Sequence, residues 1–374
     1  MNQSSRRYLA WLFGVVVIAT LVWWESQQRV SENTIKIRAD YALSGNLAQY
    51  GDWATNGITL AVEEINGAGG INDKPVEVIY EDSEGQPSTA VSAYHKLRNV
   101  DGVNYVITYQ SSIALAVAPL ANEDRVIQMD VSATTPDYSS PDDFIFRTGI
   151  VATQLATDAA EQLGNVQRVG LLTINNDFGQ GMAEVFKQSY EGTIVAEETF
   201  EQDATDFKTQ LTKLIAATPQ TIWLVGHLKE SGLIAKQAQE LNVEAPFFSD
   251  VYSVEGPDFL TNAGPAADGV VYLAPLFRKE NTTEAMADFA QRYRERFNSE
   301  PTYFTAQAYD GMVALARAIA ECDDDDTECV RQALNELSFE GASGHIDFDE
   351  NGDVVKPVEL KTIRNGEFVT LTEE

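Results

Sequence analysis

The chain has 374 residues, more than one compact core usually holds, so two lobes are expected. Its 44% hydrophobic and 10% aromatic content exclude disorder. A formal net charge of -31, from 26 basic and 57 acidic side chains, excludes nucleic acid as a partner, because phosphate binding needs a basic surface. It suits a highly soluble protein, including one working at high salt, where self-repulsion is screened.

Arg6 and Arg7 precede an uncharged run from Tyr8 to Trp24, followed by Glu25 and a polar stretch to Asn33. A positive flank before an apolar run is an export signal that leaves the N-terminus in the cytoplasm. At about 1.5 Å per residue the run spans about 25 Å, the short end for crossing a bilayer. Residues 8–24 therefore read as a membrane anchor, with Trp23 and Trp24 at the interface. A cleaved signal peptide is the competing reading, with a tolerable site at Val17-Ile18-Ala19. No cysteine lies near this segment, which excludes lipid attachment there.

Strands and helices alternate after the linker. Ile35 to Tyr41 reads as a strand, and the next helix puts Ala54, Ile58, Ala61, Val62 and Ile65 on one face. That helix stops at Asn66-Gly67-Ala68-Gly69-Gly70, where glycines accept left-handed geometry. Val76 to Tyr80 reads as a strand, Ser88 to Arg98 as a helix and Tyr105 to Thr108 as a strand. A helix through Leu115 and Leu120 and a strand at Val126 to Met129 follow. Repeated βαβ units imply a parallel sheet with helices on both faces.

A second series opens near Val151. Leu155, Ala156, Ala159, Ala160 and Leu163 form a helical face, Val169 to Ile174 a buried strand, and a helix follows Gly181. Phe207, Leu211, Leu214 and Ile215 line another helix, with strands at Ile222 to Val225 and Gly269 to Leu273. Long helices return through Met286, Phe289, Ala290, Tyr293 and Phe297, then Tyr309, Met312, Val313, Ala316 and Ile319. Short strands close the chain around Ile346 to Phe348, Val354 to Ile363 and Phe368 to Leu371. Helices after the second series suggest that the chain crosses back to complete the first lobe. Two lobes joined by several crossovers form a hinge, with a small-molecule site between them.

The chemical motifs are mostly negative. No GxSxG elbow, P-loop or GxGxxG after a strand is present, so no nucleotide or other cofactor and no hydrolase chemistry are implied. The three histidines, His95, His227 and His345, are scattered away from the cysteines, and no zinc or thiol site follows. Asp347, Asp349, Asn351 and Gly352 imitate the start of a calcium loop, but the twelfth position is Val358, where a bidentate glutamate is needed. Asn351-Gly352 reads instead as a hairpin turn. Cys322 and Cys329 flank Asp323 to Asp326, and in an exported protein this pair reads as a local disulfide between two helices. A cation on the aspartates is the sharper alternative, a solvated acidic loop the plainer one.

LSGNLAQYGDWATNGITLAVEEINGAGGI (Leu43 to Ile71) resembles the opening of branched-chain amino-acid-binding proteins of ABC transporters. YVITYQSSIALAVAPLA (Tyr105 to Ala121), SATTP (Ser132 to Pro136), NNDFGQG (Asn175 to Gly181) and FDENGD (Phe348 to Asp353) match further landmarks of that family in order. The resemblance covers essentially everything after the linker. It implies the type I periplasmic binding protein fold, an α/β architecture of two doubly wound Rossmann-like lobes joined by a three-crossover hinge. On it, residues 1–33 are anchor and linker, 34–150 plus 278–344 the first lobe, and 151–277 plus 345–374 the second.

The same resemblance implies a ligand carboxylate held by Ser111 and Ser112 at a helix start, with Ser132 and Thr134 after a strand adding hydroxyl and backbone contacts. Helix N-termini favour anions, although simple caps would read identically. Tyr50 matches an aromatic flanking the ligand. Phe178 stands where the family commonly has tyrosine, and His227 where some members place an aromatic. Asp250 is the nearest carboxylate to the family's acid for the ligand ammonium, but direct alignment puts Val251 there. The implied function is an extracytoplasmic, non-enzymatic binding protein that delivers a branched-chain or other amino acid to ABC permease subunits. A membrane-tethered sensor, or a binder of amides, carboxylates or urea-like solutes, is the alternative.

Overall fold

The computed structural model describes residues 34–371 apart from 99–101, 278–282 and 324–325. The anchor expected at 8–24 lies outside the described residues, and no described helix is long and apolar enough to cross a membrane.

The first lobe alternates β1 (Ile35–Tyr41), α1 (Ala48–Gly67), β2 (Val76–Asp82), α2 (Pro87–Lys96), β3 (Tyr105–Thr108), α3 (Ser111–Glu123), β4 (Ile127–Asp130) and β5 (Ile145–Arg147). The strands pair in parallel in the order β2-β1-β3-β4-β5. Alternate residues on each strand face opposite layers of helix. Ile37, Ala39, Ile107 and Met129 pack against Ala54, Ile58 and Ala61 of α1. Val106 and Ile145 pack on the other face against Ala90, Tyr94, Ile113 and Val117 of α2 and α3.

The second lobe runs through α4 (Ala152–Gln162), β6 (Arg168–Ile174), α5 (Asp177–Ser189), β7 (Thr193–Phe200), α6 (Lys208–Ala216), β8 (Thr221–Val225), α7 (Leu228–Glu240), β9 (Phe247–Asp250), α8 (Val251–Val254), α9 (Pro257–Ala263) and β10 (Val271–Pro275). All five residues of β8 are buried, an unbroken run expected where helices cover both faces of a parallel sheet. Trp223 at its centre is fully buried and stacks on Phe186, ring centroids 4.2 Å apart.

The chain then returns to the first lobe as α10 (Glu284–Phe297), α11 (Tyr303–Ala320) and α12 (Thr327–Asn335), followed by the hairpin β11 (Ser338–Gly341) and β12 (Gly344–Asp347). It ends in β13 (Val358–Arg364) and β14 (Glu367–Thr370), which add antiparallel to the second sheet, giving β14-β13-β10-β9-β8-β6-β7. Cys322 and Cys329 form a disulfide that ties the end of α11 to α12.

Several details differ from the sequence expectation. The helix expected after Gly181 starts at Asp177, because Asn176 caps it by accepting from Gly179 N at 3.0 Å. Gly179 is there for close approach, since a Cβ would sit 2.0 Å from Ile174 O. Strands β5 and β7 and helix α7 stand out in the structure more than in the sequence pattern. Asn351-Gly352 sits in a tight turn closed by Gly352 N donating to Asp349 O at 3.0 Å, but joins no paired strands, because β12 pairs with β11. Around that turn Phe348 packs edge-on to Phe146, and Asp353 pairs with Arg147, so residues 348–353 lie against β5 of the first sheet. The chain enters the second sheet only at Val358.

Helices α1 and α11 cross at Gly57, where an added Cβ would lie 2.3 Å from Thr305 O and 3.2 Å from Ala308 Cβ. The Gly57→Ala variant is expected to lose about 1–3 kcal/mol of stability through overpacking, read as a lower urea midpoint at unchanged slope. An unchanged midpoint would mean that α11 moves aside without cost.

Candidate ligand-binding cleft

The C-terminal ends of the parallel strands in both sheets face one cleft. After β3 the chain turns at Gln110, whose φ of +85° lies in the left-handed region, and α3 begins at Ser111. After β4 the loop carries Ser132 and Thr134. These two loops hold each other: Gln110 N donates to Ser132 Oγ at 3.2 Å, and Thr134 N donates to Ser111 Oγ at 3.2 Å. Each serine oxygen thus accepts one backbone N–H and keeps its own proton to donate. Both serines are buried, 4% and 5% exposed, and border the cleft.

The opposite wall is aromatic. Phe178, in the first turn of α5, stacks on the His227 ring, 5.9 Å between centroids, and meets Tyr252 edge-on at 6.0 Å. His227 precedes α7, and Asn176 Nδ2 lies 3.3 Å from its Nε2. Because Asn176 Oδ1 already accepts from Gly179 N, its amide group must donate to the imidazole, which leaves the His227 proton on Nδ1. Burial among the rings pushes the His227 pKa down to about 4, so the ring is neutral at physiological pH.

Tyr50 crosses from the first lobe to the second. Its hydroxyl donates to Tyr252 O at 2.6 Å and accepts from Leu228 N, the first amide of α7, at 3.2 Å. Other contacts run beside it: Ser112 Oγ donates to Asp177 Oδ2 at 2.5 Å, Lys229 Nζ to Asn46 Oδ1 at 2.7 Å, and Asn46 Nδ2 to Asp203. With the lobes drawn together in this way, the cavity left between them is about 30 Å3, lined by Tyr50, Tyr109, Gln110, Ser111, Ser132, Phe178, His227 and Tyr252. That is room for about two waters, so an amino-acid-sized ligand calls for the rings to move or the lobes to part. A larger hollow of about 490 Å3, beside Arg292, Tyr309 and Arg317 on the first lobe, contains none of the expected site residues.

The structure therefore brings Tyr50, Ser111, Ser132, Phe178 and His227 together around one cavity. Ser112 lies outside the lining and bridges the lobes instead. Thr134 is buried behind the lining, its Oγ1 without a hydrogen-bond partner. Asp250 is 1% exposed and also behind it: Oδ1 accepts from Tyr252 N at 2.9 Å and Ser253 N at 3.1 Å, and Oδ2 from Ser253 Oγ at 2.9 Å. Its carboxylate caps α8 rather than facing the cavity, and burial pushes its pKa up to about 7. Tyr109, Gln110 and Tyr252 complete the lining beyond the residues expected from the sequence. Gln110 Oε1 and Tyr252 Oη are buried without protein partners and add hydrogen-bonding capacity to the lining. Their signal in the sequence is position alone, directly after a strand at the carboxyl edge of a parallel sheet.

The lining offers hydroxyls, one amide, a neutral imidazole and ring faces, an arrangement that binds and encloses a solute. A family model described as periplasmic binding protein matches residues 34–367. The chain belongs to that family. It is 28% identical over 367 residues, 95% of both chains, to the leucine-, isoleucine-, valine-, threonine- and alanine-binding protein of Pseudomonas aeruginosa. It is similar to the branched-chain amino-acid transporter substrate-binding protein LivJ of Streptococcus pneumoniae, solved with isoleucine, at 29% identity and TM-score 0.82, covering 90% of this chain and 97% of that one. An ABC-transporter solute-binding protein of R. palustris, solved with benzoate, shares the fold at TM-score 0.82 and 19% identity, covering 90% and 95%. The two-lobed, three-crossover architecture is that of these periplasmic binding proteins.

Two predictions arise from the cleft. The Tyr50→Phe variant leaves Leu228 N and Tyr252 O unpaired on closure, which costs about 1–3 kcal/mol and weakens ligand affinity accordingly. Titration calorimetry showing wild-type affinity would rule out the hydroxyl as a closing contact. The second concerns pH. Burial raises Asp40 and Asp250 to about 7 and Asp130 to about 6, so the folded chain holds protons that the unfolded chain, with carboxylates near 4, releases. That stabilisation is complete below about pH 4 and lost as pH rises through 6 and 7. Lowering of His227 acts oppositely, lost as pH falls from about 6.5 towards 4. The melting temperature is thus expected to rise as pH drops from about 8 to 6.5, and Asp250→Asn should flatten that slope. An equal slope in the variant would remove Asp250 from the account.

Proposed function

We propose that the protein is the extracytoplasmic solute-binding component of an ABC importer and closes on a small carboxylate, first of all an α-amino acid with an apolar side chain. The observation that carries this is the pair Ser111 and Ser132, each keeping a proton to donate, facing an aromatic wall from the other lobe. A carboxylate suits Ser111 at the start of α3, where the helix dipole favours negative charge, with Ser132 beside it from the loop after β4. The side chain suits the rings of Phe178, Tyr50 and Tyr252. The amino-acid ligands named for the Pseudomonas and Streptococcus relatives support the same choice. Closure follows from contacts that a ligand makes with both lobes only when they meet, and delivery to permease subunits follows from the closed form. Residues 8–24, as anchor or as cleaved signal, would place the folded part outside the cytoplasmic membrane.

A second reading is favoured by one observation. The lining contains no carboxylate for a ligand ammonium, since both Asp250 oxygens are taken by α8. An aromatic or other simple carboxylate needs no such partner, and benzoate is the ligand in the R. palustris protein.

Thermal-shift assays on the chain from Ser31 onward separate these readings, using leucine, isoleucine, valine, benzoate, acetamide and urea. A ligand at about 100 times its dissociation constant adds about 2.7 kcal/mol of stability. A shift with a branched-chain amino acid supports the first reading, and a shift with benzoate alone supports the second. No shift with any carboxylate at millimolar concentration removes both.

A further inference from the structure

The loop that carries Ser132 is held from behind by the hinge. Its successive carbonyls at 133, 134 and 135 are all taken by the first crossover. Arg147 Nη1, at the end of β5, donates to Thr135 O at 2.6 Å and to Ala133 O at 3.3 Å. Ala152 N, the first amide of α4 in the second lobe, donates to Thr134 O at 2.7 Å. Between them Gly149 passes directly under Ser132, where an added Cβ would be 3.0 Å from Ser132 Cα. The loop is thus fixed at both ends of the crossover, one end in each lobe.

Arg147 is held in turn by the third crossover. Its Nε donates to Asp353 Oδ1 at 2.5 Å and its Nη2 to Asp353 Oδ2 at 2.9 Å, while Arg147 N donates to Gly352 O at 2.9 Å. Nη2 also reaches Ser139 Oγ at 3.4 Å, and the guanidinium lies over the Tyr138 ring. A bridge between Ile150 and Val354 pairs the two crossovers side by side. The side chain is 1% exposed and does not itself line the cavity. Its planar fork serves a carboxylate and two carbonyls at once, which a lysine ammonium cannot do from one point.

We propose that Arg147, oriented by Asp353, is a positioning residue that couples the angle between the lobes to the placement of the Ser132 ligand loop. When the lobes rotate, residues 148–152 twist, and Ala152 moves relative to Arg147. The carbonyls at 133–135 follow, so the serine pair takes its binding geometry only at the closed angle. The inference rests on the cleft being the ligand site, but its first readout needs no ligand.

That readout is amide hydrogen exchange in Arg147→Lys and in the milder Asp353→Asn, measured well below their melting temperatures. Amides of Ser132, Ala133 and Thr134 should exchange at least about tenfold faster, while those of β8 remain at the wild-type rate. The second readout is calorimetric titration with isoleucine and with benzoate, in which whichever binds the wild type should bind about tenfold more weakly to the variants. A purely structural role predicts a lower melting temperature with loop exchange and affinity unchanged, and that result overturns the proposal. Faster exchange in the loop and in β8 alike, marking global destabilisation, overturns it as well. If Arg147→Lys fails to fold, Asp353→Asn carries the same readouts. If neither probe binds the wild type, the exchange result still decides the coupling, and the failure belongs to the ligand reading.

Discussion

Everything in the cleft depends on one constraint, that a parallel strand delivers the next residues to its carboxyl edge. Gln110 and Ser111 follow β3, Ser132 follows β4, Phe178 follows β6, His227 follows β8 and Tyr252 follows β9. Both sheets turn that edge to the same space, so short loops from distant parts of the sequence converge on one small cavity. The helices that begin there have their free amides at the same edge, which makes the region favourable for an anionic group.

The two lobes solve the strand-to-loop turn in the same way. Asp130 ends β4, and its Oδ1 accepts from Ser132 N at 2.7 Å and from Ala133 N. Asp250 ends β9, and its Oδ1 accepts from Tyr252 N and Ser253 N, again two and three residues on. Each carboxylate folds the loop that presents a cavity-lining residue and stays behind that lining. Burial raises both pKa values, to about 6 and about 7, yet the hydrogen bonds from backbone amides favour the charged form. An acidic residue near a ligand site is therefore not automatically a ligand contact, and here the two nearest strand-end acids are architectural.

The lobes meet through polar contacts that surround an aromatic centre. Tyr50 packs among Trp53, Tyr109, His227 and Phe304 with centroid distances between 5.7 and 6.0 Å, and its hydroxyl alone reaches two backbone groups of the other lobe. Aromatic rings suit such a boundary because they give large contact area with few rotatable bonds. Behind the cleft, the paired crossovers at Ile150 and Val354 and the Arg147–Asp353 pair, with Arg147 donating to Ala133 O and Thr135 O, tie the hinge to the loop that carries Ser132. The Ser132 loop and the hinge are thus joined by one continuous set of hydrogen bonds.

The sequence by itself determined the two α/β series, the cleft between them and five of its lining residues, Tyr50, Ser111, Ser132, Phe178 and His227. The two series were legible because βαβ alternation is a local pattern that repeats at fixed spacing, whereas the five residues were implied by the resemblance to the binding-protein family. Even the disulfide between Cys322 and Cys329 was legible, since a short separation leaves the pair little choice. Only the tertiary structure decided what each side chain faces. Asp250 turned to its own helix, Ser112 reached across to Asp177, and Tyr252 entered the cavity although its neighbour Val251 aligned with the family's acid. Those outcomes depend on partners far away in sequence, such as Leu228 for Tyr50 and Asp353 for Arg147. No local spacing encodes a contact that exists only once both lobes have folded and met.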